Sequence, residues 1–242
     1  MEDLNNQTVG AIVAKNFKTA AVFKKYGIDF CCKGGRTIEE ACSDQKLTSA
    51  EIMEEVNEAM QSTKQTSNDY NAWPIDLLAD YVQKIHHKYV NDNGPQLLAY
   101  LEKINKVHGS NHPELAEIFE IMKLSLGDLA VHMKKEELML FPYIKKMAAA
   151  GNDNATITAP AFGSITNPIN AMKADHEQEG ERLMRVMELS NNYTPPTDAC
   201  NTYKVAFALL QEFQDDLLTH IHLENNILFP KTIALEQTIF DK

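Results

Sequence analysis

The sequence of 242 residues lacks the features of membrane, secreted and nucleic-acid-binding proteins. No apolar run approaches the roughly 20 residues that a membrane-spanning helix needs. The first residues include neither a basic segment nor an apolar one, so we expect no signal peptide. Lys and Arg number 23 against 34 Asp and Glu, a net charge of −11. This acidic balance argues against a nucleic-acid binder, because phosphate contacts need clustered basic side chains.

Cysteine, glycine and proline are also scarce. Four Cys in this length do not make a disulfide scaffold, so we expect reduced thiols in a cytoplasmic protein. Ten Gly and nine Pro exclude a collagen-like or disordered chain. No stretch shows the sustained alternation of apolar and polar residues that marks strands. Apolar residues recur instead at spacings of three and four, which predicts an all-α protein.

The N-terminal part is predicted to be a small helical domain, residues 1–62. An amphipathic helix over residues 8–26 should end at Gly27, which suits the position just after a helix. Capping boxes at residues 37–40 and 48–51 should each open a further short helix.

A second domain, residues 72–242, is predicted to follow a polar linker over residues 63–71. Its apolar periodicity forms four long helical stretches, which predicts an up-down-up-down four-helix bundle. The turn-rich segments between them are residues 108–113, 151–168 and 191–196. The middle segment is long for a compact domain, and such loops are usually functional or mobile.

An internal repeat carries residues that can bind a metal. Residues 128–142 (DLAVHMKKEELMLFP) and 216–230 (DLLTHIHLENNILFP) are identical at seven of fifteen positions. Each copy has His and Glu four residues apart, on one face of a helix. These residues are His132 and Glu136 in the first copy and His220 and Glu224 in the second. Two such helices facing inward predict a metal site in the core of the bundle.

Two further histidines extend this pattern. His87, His132, His176 and His220 are 45, 44 and 44 residues apart, which places all four at one height of an up-down bundle. Spacing alone does not distinguish His87 from His86. If Glu136 and Glu224 bridge two metals, each metal has two imidazoles and two carboxylate oxygens. An oxo or hydroxo bridge would add a fifth ligand. Such donors suit iron or manganese and are also accepted by zinc.

Neighbouring residues are assigned lesser roles. Asp128 and Asp216 lie one turn before His132 and His220, where a carboxylate can orient an imidazole or line an entry path for ions. We expect His222 to be exposed. The residues expected to have no chemical role or only a structural one are His108, His112, Cys42 and Cys200. The Leu-Phe-Pro ending of each repeat is interpreted as packing, with the proline bending or ending its helix.

Cys31 and Cys32 are adjacent and are the candidates for redox chemistry. Such a pair can form a vicinal disulfide, bind a soft metal, exchange with another thiol, or simply pack in the reduced state. Lys33 and Arg36 lie nearby and would favour the thiolate.

These motifs resemble the iron–sulfur cluster repair di-iron (RIC) proteins over essentially the whole chain. Residues 26–32 (YGIDFCC) resemble the family's short N-terminal domain, and residues 72–242 its hemerythrin-like bundle. Lys33 departs from the family pattern, which often has Gly there. The resemblance supports His87, 13 residues after Trp73-Pro74, and places acidic residues at Asp128 and Asp175. It implies a non-haem di-iron centre with His87, His132, His176 and His220 as terminal ligands and Glu136 and Glu224 as bridges.

The resemblance also implies a function. The protein would restore clusters damaged by nitric oxide or peroxide, by donating iron to damaged iron–sulfur proteins or to a cluster assembly scaffold. The alternatives are a hemerythrin-like carrier or sensor of O₂ or NO, an enzyme that reduces nitric oxide or peroxide, and a metal-free helical bundle. Nucleic acid and membrane are not expected as partners, and a homodimer is left open.

Overall fold

The computed structural model describes residues 4, 6–43, 47–61, 68–153, 157 and 160–240. Their secondary structure is helical, apart from an isolated β-bridge between Thr8 and Thr37. The all-α prediction is therefore confirmed. Within the described residues, no helix is long and apolar enough to cross a membrane.

The described residues of the N-terminal part form four short α-helices. They are α1 (Val9–Lys15), α2 (Ala20–Lys25), α3 (Ile38–Ser43) and α4 (Ser49–Gln61). The helix predicted over residues 8–26 is interrupted at Asn16. The side-chain oxygen of Asn16 accepts a hydrogen bond from the Lys18 N–H and starts a 3₁₀ turn over Phe17–Thr19. Gly27 follows α2 with a φ of 65°, as expected for the residue after a helix.

The predicted capping box before α3 is confirmed. The Thr37 Oγ1 accepts from the Glu40 N–H at 3.3 Å, and a Glu40 carboxylate oxygen accepts from the Thr37 N–H at 2.8 Å. These reciprocal bonds satisfy backbone donors that have no partner inside the helix.

Four long helices follow, which we number bundle helices 1 to 4: residues 75–108, 114–153, 166–189 and 201–240. Bundle helix 1 contains α5 (Ile75–Tyr81), a π-helical segment (Val82–His87) and α6 (Lys88–His108). Bundle helix 2 contains α7 (Glu114–Lys135), a π-helical segment (Glu136–Leu140) and α8 (Phe141–Asp153). Bundle helix 3 is α9 (Thr166–Leu189). Bundle helix 4 contains α10 (Asn201–Leu223), a π-helical segment (Glu224–Leu228) and α11 (Phe229–Phe240).

The connections differ in part from the prediction. The segment predicted to be a loop over residues 151–168 is shorter, because α8 extends to Asp153 and α9 begins at Thr166. Pro168 is thus the third residue of α9, in the first turn, where a missing N–H removes no helical hydrogen bond.

Pro142 and Pro230 were expected either to bend or to end their helices, and they do not end them. Each lies two residues after a π-helical segment, and the helices continue to Asp153 and Phe240. The carbonyl that a proline leaves unpaired is four residues earlier, here at Leu138 and Asn226, inside the π-helical segments. The altered hydrogen-bond pattern of those segments accommodates the proline ring.

Buried apolar side chains form two clusters. The larger one includes residues of the N-terminal helices and of the bundle, such as Ile12, Phe23, Leu183 and Leu217. The smaller one lies at the other end of the bundle and includes Leu78, Ile144 and Ile169. The N-terminal helices are therefore packed against the bundle. The predicted linker, residues 63–71, lies partly outside the described residues, and the domain boundaries stay a prediction.

Candidate metal centre

Six buried side chains form two overlapping groups between the two apolar clusters. Within each group, one potential ligand atom per residue lies within 4.8 Å of all the others. The first group is His87, Glu136, His220 and Glu224, and the second is His132, Glu136, His176 and Glu224. Both glutamates belong to both groups. One pair of carboxylates therefore faces two positions that could each hold a cation.

Each glutamate places one oxygen between two imidazoles. The Glu136 Oε2 lies 3.3 Å from the His87 Nε2 and 3.4 Å from the His132 Nε2. The Nε2 atoms of His132 and His176 are 3.1 Å apart. Within the second group, the Glu136 Oε2 and the Nε2 atoms of His132 and His176 therefore lie at the separations expected for ligands of one ion.

Glu224 repeats this arrangement. Its Oε2 lies 3.1 Å from the His176 Nε2 and 3.3 Å from the His220 Nε2. Both oxygens of Glu136 and of Glu224 are buried and accept no hydrogen bond within the described part of the chain. A buried carboxylate without partners is costly, and bound cations would satisfy these oxygens. The donor set of imidazole nitrogen and carboxylate oxygen, without cysteine, fits iron, manganese or zinc.

The electrostatics of the site also suit a cation. Burial raises the pKa of Glu224, but the imidazoles of His220 and His176 outweigh it and hold that pKa well below its usual value. Burial lowers the pKa of His132, but the carboxylate of Glu136 outweighs it and raises that pKa to about 9. An incoming cation therefore meets an ionised carboxylate and must displace a proton from an imidazole.

Three of the imidazoles are oriented through their Nδ1 atoms by residues of other helices. The pairs are His87 with Glu137 at 3.0 Å, His132 with Asp175 at 3.2 Å and His176 with Asn225 at 2.9 Å. Such contacts fix the ring and leave Nε2 for a metal. Glu137 and Asn225 were missed from the sequence. The signal that could have found them is their position, since each directly follows the glutamate of its repeat.

Asp128 and Asp216 do not orient the histidines predicted for them. The Asp128 carboxylate accepts from Arg182 at 2.6 Å, and the Asp216 Oδ1 lies 3.0 Å from the Nδ1 of His86. The reason is that each carboxylate has a partner on another helix, Arg182 for Asp128 and His86 for Asp216.

His86 stays outside both groups, although its ring stacks on that of a ligand candidate. It is buried, and its ring centroid lies 5.7 Å from that of His220. The adjacent His87 enters the first group instead. Of the two histidines that spacing left open, the structure thus places His87, and not His86, among the six grouped side chains.

The Leu-Phe-Pro motifs pack directly against the site. The ring of Phe141 stacks on His87 with centroids 5.5 Å apart, and that of Phe229 stacks on His176 at 6.1 Å. Glu136 and Glu224 are the first residues of their π-helical segments. π-Helical turns inside α-helices are frequent at functional sites.

A cleft of about 240 Å³ between α7 and α9 reaches the second group. Its walls include His132, His176, Asp128 and Asp175, so Asp128 fits the other role predicted for it, in lining an entry path. Buried Glu179 also lines the cleft, and burial raises the pKa of its carboxyl group. The second group is therefore approached from solvent through an opening whose acids are paired with the basic side chains of Lys135 and Arg182.

Comparison with known proteins agrees with this geometry. A model of the Hemerythrin HHE cation binding domain matches residues 78–232, and a Domain of Unknown function (DUF542) matches residues 5–60. The chain is 32% identical over 235 residues to the iron–sulfur cluster repair protein YtfE of Yersinia pestis (strain Pestoides F). The same holds for YtfE of Yersinia pseudotuberculosis serotype O:1b (strain IP 31758), and each match covers 97% of this chain and 100% of the relative. The chain belongs to the YtfE family. The resemblance inferred from the motifs, including the hemerythrin-like bundle, is thereby confirmed.

In this member of the YtfE family, the Cys31–Cys32 pair lies against α9, beside the candidate metal centre. The two Sγ atoms are 3.6 Å apart, and the Cys32 thiol donates to the backbone oxygen of His176 at 3.1 Å. A Cβ atom at Gly180 would approach the Cys32 Sγ to 2.9 Å, so glycine permits this close contact. The hydrogen bond to Cys32 and burial raise the pKa of the Cys31 thiol well above its usual value, contrary to the expected thiolate.

The expectation that His222 is exposed is wrong. His222 is fully buried between the rings of Phe17 and Phe30, each with its centroid 5.7 Å away. Its Nδ1 accepts a hydrogen bond from Asn226 at 3.0 Å, and burial lowers the pKa of His222 to about 3. The N-terminal helices cover this face of α10, which the periodicity of the bundle alone does not reveal.

Cys200 was expected to be structural but is an exposed thiol at the start of α10. The backbone N–H of Tyr203 and the side chain of His108, whose Nε2 lies 3.2 Å from the Sγ, lower the pKa of Cys200 to about 7. Alkylation of Cys200 by iodoacetamide should therefore speed up as pH rises through about 7, because the thiolate is the nucleophile. Mass spectrometry of the labelled peptide measures the rate.

This prediction has two matched controls, a buried cysteine and a variant of the histidine beside Cys200. Cys42 is buried and burial raises its pKa, so it should react more slowly at every pH. The variant His108→Ala should move the midpoint for Cys200 upwards. A midpoint well above pH 8 in the unmodified protein would contradict the expected effect of these donors.

Proposed function

We propose that this protein repairs iron–sulfur clusters by donating iron from a dinuclear non-haem centre. The proposed ligands are His87, His132, His176 and His220, with Glu136 and Glu224 as bridges. The observation that supports this best is the sharing of both buried glutamates by two His₂Glu₂ groups. The relatives named iron–sulfur cluster repair proteins, matched over nearly their whole length, support the repair role.

The chain's own residues have distinct roles in this proposal. When bound, two iron ions joined by an oxo or hydroxo bridge would supply exchangeable metal for a damaged cluster. Glu137, Asp175 and Asn225 hold the Nδ1 protons of three imidazoles and keep their Nε2 atoms directed into the site. His132 and His176 border the cleft between α7 and α9, so a recipient protein gains access from their side. Manganese and zinc accept the same donor atoms.

The experiment is a transfer of labelled iron to a recipient. The protein is loaded anaerobically with iron-57 and mixed with an iron–sulfur dehydratase whose cluster nitric oxide has damaged. We expect the recipient to regain activity and its rebuilt cluster to contain iron-57. Glu136→Gln should abolish both effects, because it removes a charged ligand from both positions, whereas the exposed Glu177→Gln should leave both unchanged. Recovery without iron-57 in the cluster, or full recovery with Glu136→Gln, would contradict iron donation.

A second candidate function is the binding of O₂ or nitric oxide at the same centre. The cleft of about 240 Å³ that reaches His132 and His176 favours it, because it admits a diatomic molecule. Stopped-flow measurement distinguishes a carrier from an enzyme. Stoichiometric, reversible uptake of gas would indicate a carrier or sensor, and sustained turnover with an added electron donor would indicate a reductase.

A further inference from the structure

Glu137 and Asn225 occupy equivalent positions of the internal repeat, 88 residues apart. Each accepts the Nδ1–H of an imidazole from another bundle helix, Glu137 from His87 and Asn225 from His176. The chemistry of the two acceptors differs. An ionised carboxylate only accepts hydrogen bonds, whereas an amide accepts through its oxygen and donates through its nitrogen. Asn225 can therefore connect His176 to a further acceptor.

That further acceptor belongs to the cysteine segment. The Nδ2 of Asn225 donates to the backbone oxygen of Cys31 at 3.3 Å, while its Oδ1 lies 2.9 Å from the Nδ1 of His176. The Cys32 thiol makes an independent contact, since it donates to the backbone oxygen of His176. The two cysteines thus contact the same histidine at its main chain and, through one amide, at its ring.

We propose that Asn225 is a positioning residue that couples the oxidation state of the Cys31–Cys32 pair to the affinity of the second cation position. This inference rests on the proposed metal site. In the reduced state, both contacts hold His176 in place. Oxidation by a small-molecule disulfide joins the two Sγ atoms, releases both thiol protons, and passes two electrons to the reagent, which leaves as two thiols.

The geometry dictates the direction of the effect. The Sγ atoms are 3.6 Å apart and must approach to about 2.05 Å in a disulfide. The Cys32 thiol then loses the proton that it donates to His176, and the Cys31 carbonyl moves with its side chain. Asn225 loses its second partner, and the ring of His176 is held less firmly. Iron at the second position should therefore leave faster when the pair is oxidised.

Asn226 provides a matched control. Its Nδ2 donates to the backbone oxygen of Phe30 at 3.1 Å, so it ties the same segment to bundle helix 4. Its other contact is with His222, which belongs to neither metal-ligand group. Asn226 therefore shares the docking role of Asn225 without touching a proposed ligand.

The test measures iron loss from the full-length ferrous protein to a ferrous chelator under anaerobic conditions. All samples carry Cys200→Ser, which removes the exposed thiol, and are compared before and after oxidation by a dipyridyl disulfide. We expect oxidation to speed the loss of one of the two irons about ten-fold. Asn225→Asp keeps the acceptor for His176 but removes the donor to Cys31. Its rate should therefore respond to oxidation less than that of the parent, because only the contact of the Cys32 thiol with the His176 carbonyl is left to be lost. Asn226→Asp should respond as the parent does, and Cys31→Ala with Cys32→Ala should not respond.

The outcomes separate this inference from the proposed function. Equal rates before and after oxidation in the parent, or a full response in Asn225→Asp, would overturn the coupling. If those samples still bind two irons, the proposed metal site stands. Absence of iron in the reduced parent would overturn both. A second readout is independent of any variant. If oxidation weakens iron binding ten-fold, iron must raise the midpoint potential of the cysteine pair by about 30 mV, because coupling is reciprocal. An unchanged potential would also overturn the inference.

Discussion

Replacing Glu224 with alanine is expected to remove both metal ions, whereas replacing His220 is expected to remove only one. Glu224 belongs to both ligand groups, so its loss takes a carboxylate from each cation. His220 belongs only to the first group, and the four ligands of the second group stay intact without it. Even residues that merely orient ligands typically change metal affinity 10- to 100-fold, so the loss of a shared ligand should have a larger effect.

The measurement is metal analysis of anaerobically reconstituted variants after gel filtration. We expect about two ions per chain in the unmodified protein, about one in His220→Ala and nearly none in Glu224→Ala. Glu177→Ala serves as the control, because this exposed carboxylate of α9 directly follows His176 but belongs to neither group. If Glu224→Ala retained one tightly bound ion, the glutamate would not be shared as the geometry indicates.

Removal of the metal ions should lower the melting temperature by about 10 °C or more. Ligand present at 1,000 times its dissociation constant stabilises the folded state by about 4 kcal/mol. For a chain of this size, 1 kcal/mol corresponds to roughly 2–4 °C. Without cations, the ionised carboxylates of Glu136 and Glu224 stay buried with no hydrogen-bond donor in the described part of the chain.

Thermal unfolding of chelator-treated and reconstituted protein, followed by circular dichroism at equal concentration, measures this shift. The Glu224→Ala variant should melt at the same temperature with and without added iron. Equal melting temperatures for the two forms of the unmodified protein would mean that the site contributes no binding energy to the fold.

Local sequence signals predicted the helices well where local chemistry decides them. The box of Thr37 and Glu40 and the left-handed Gly27 are decided within a few residues, and both occur as predicted. The π-helical segments were not predicted. They are too short for a periodic signal, and their i→i+5 hydrogen bonds depend on how the buried glutamates and the prolines are accommodated in three dimensions.

The site residues could be predicted where their pattern lies within one helix, and not where their roles depend on contacts between helices. The His-x-x-x-Glu pairs lie within single helices, so spacing alone places His and Glu on one face. The contacts of Glu137 and Asn225 cross between bundle helices, and no spacing within one helix reveals them. The burial of His222 follows from the packing of Phe17 and Phe30, which lie 205 and 192 positions earlier in the sequence.

The most direct test of the central claim is Mössbauer spectroscopy, with iron quantification, on protein expressed in iron-57 medium and purified anaerobically. We predict close to two irons per chain with the magnetic coupling expected of a carboxylate-bridged pair, because Glu136 and Glu224 face both cation positions. A single uncoupled iron, a zinc ion in its place, or no metal at all would contradict a dinuclear iron centre at these six residues.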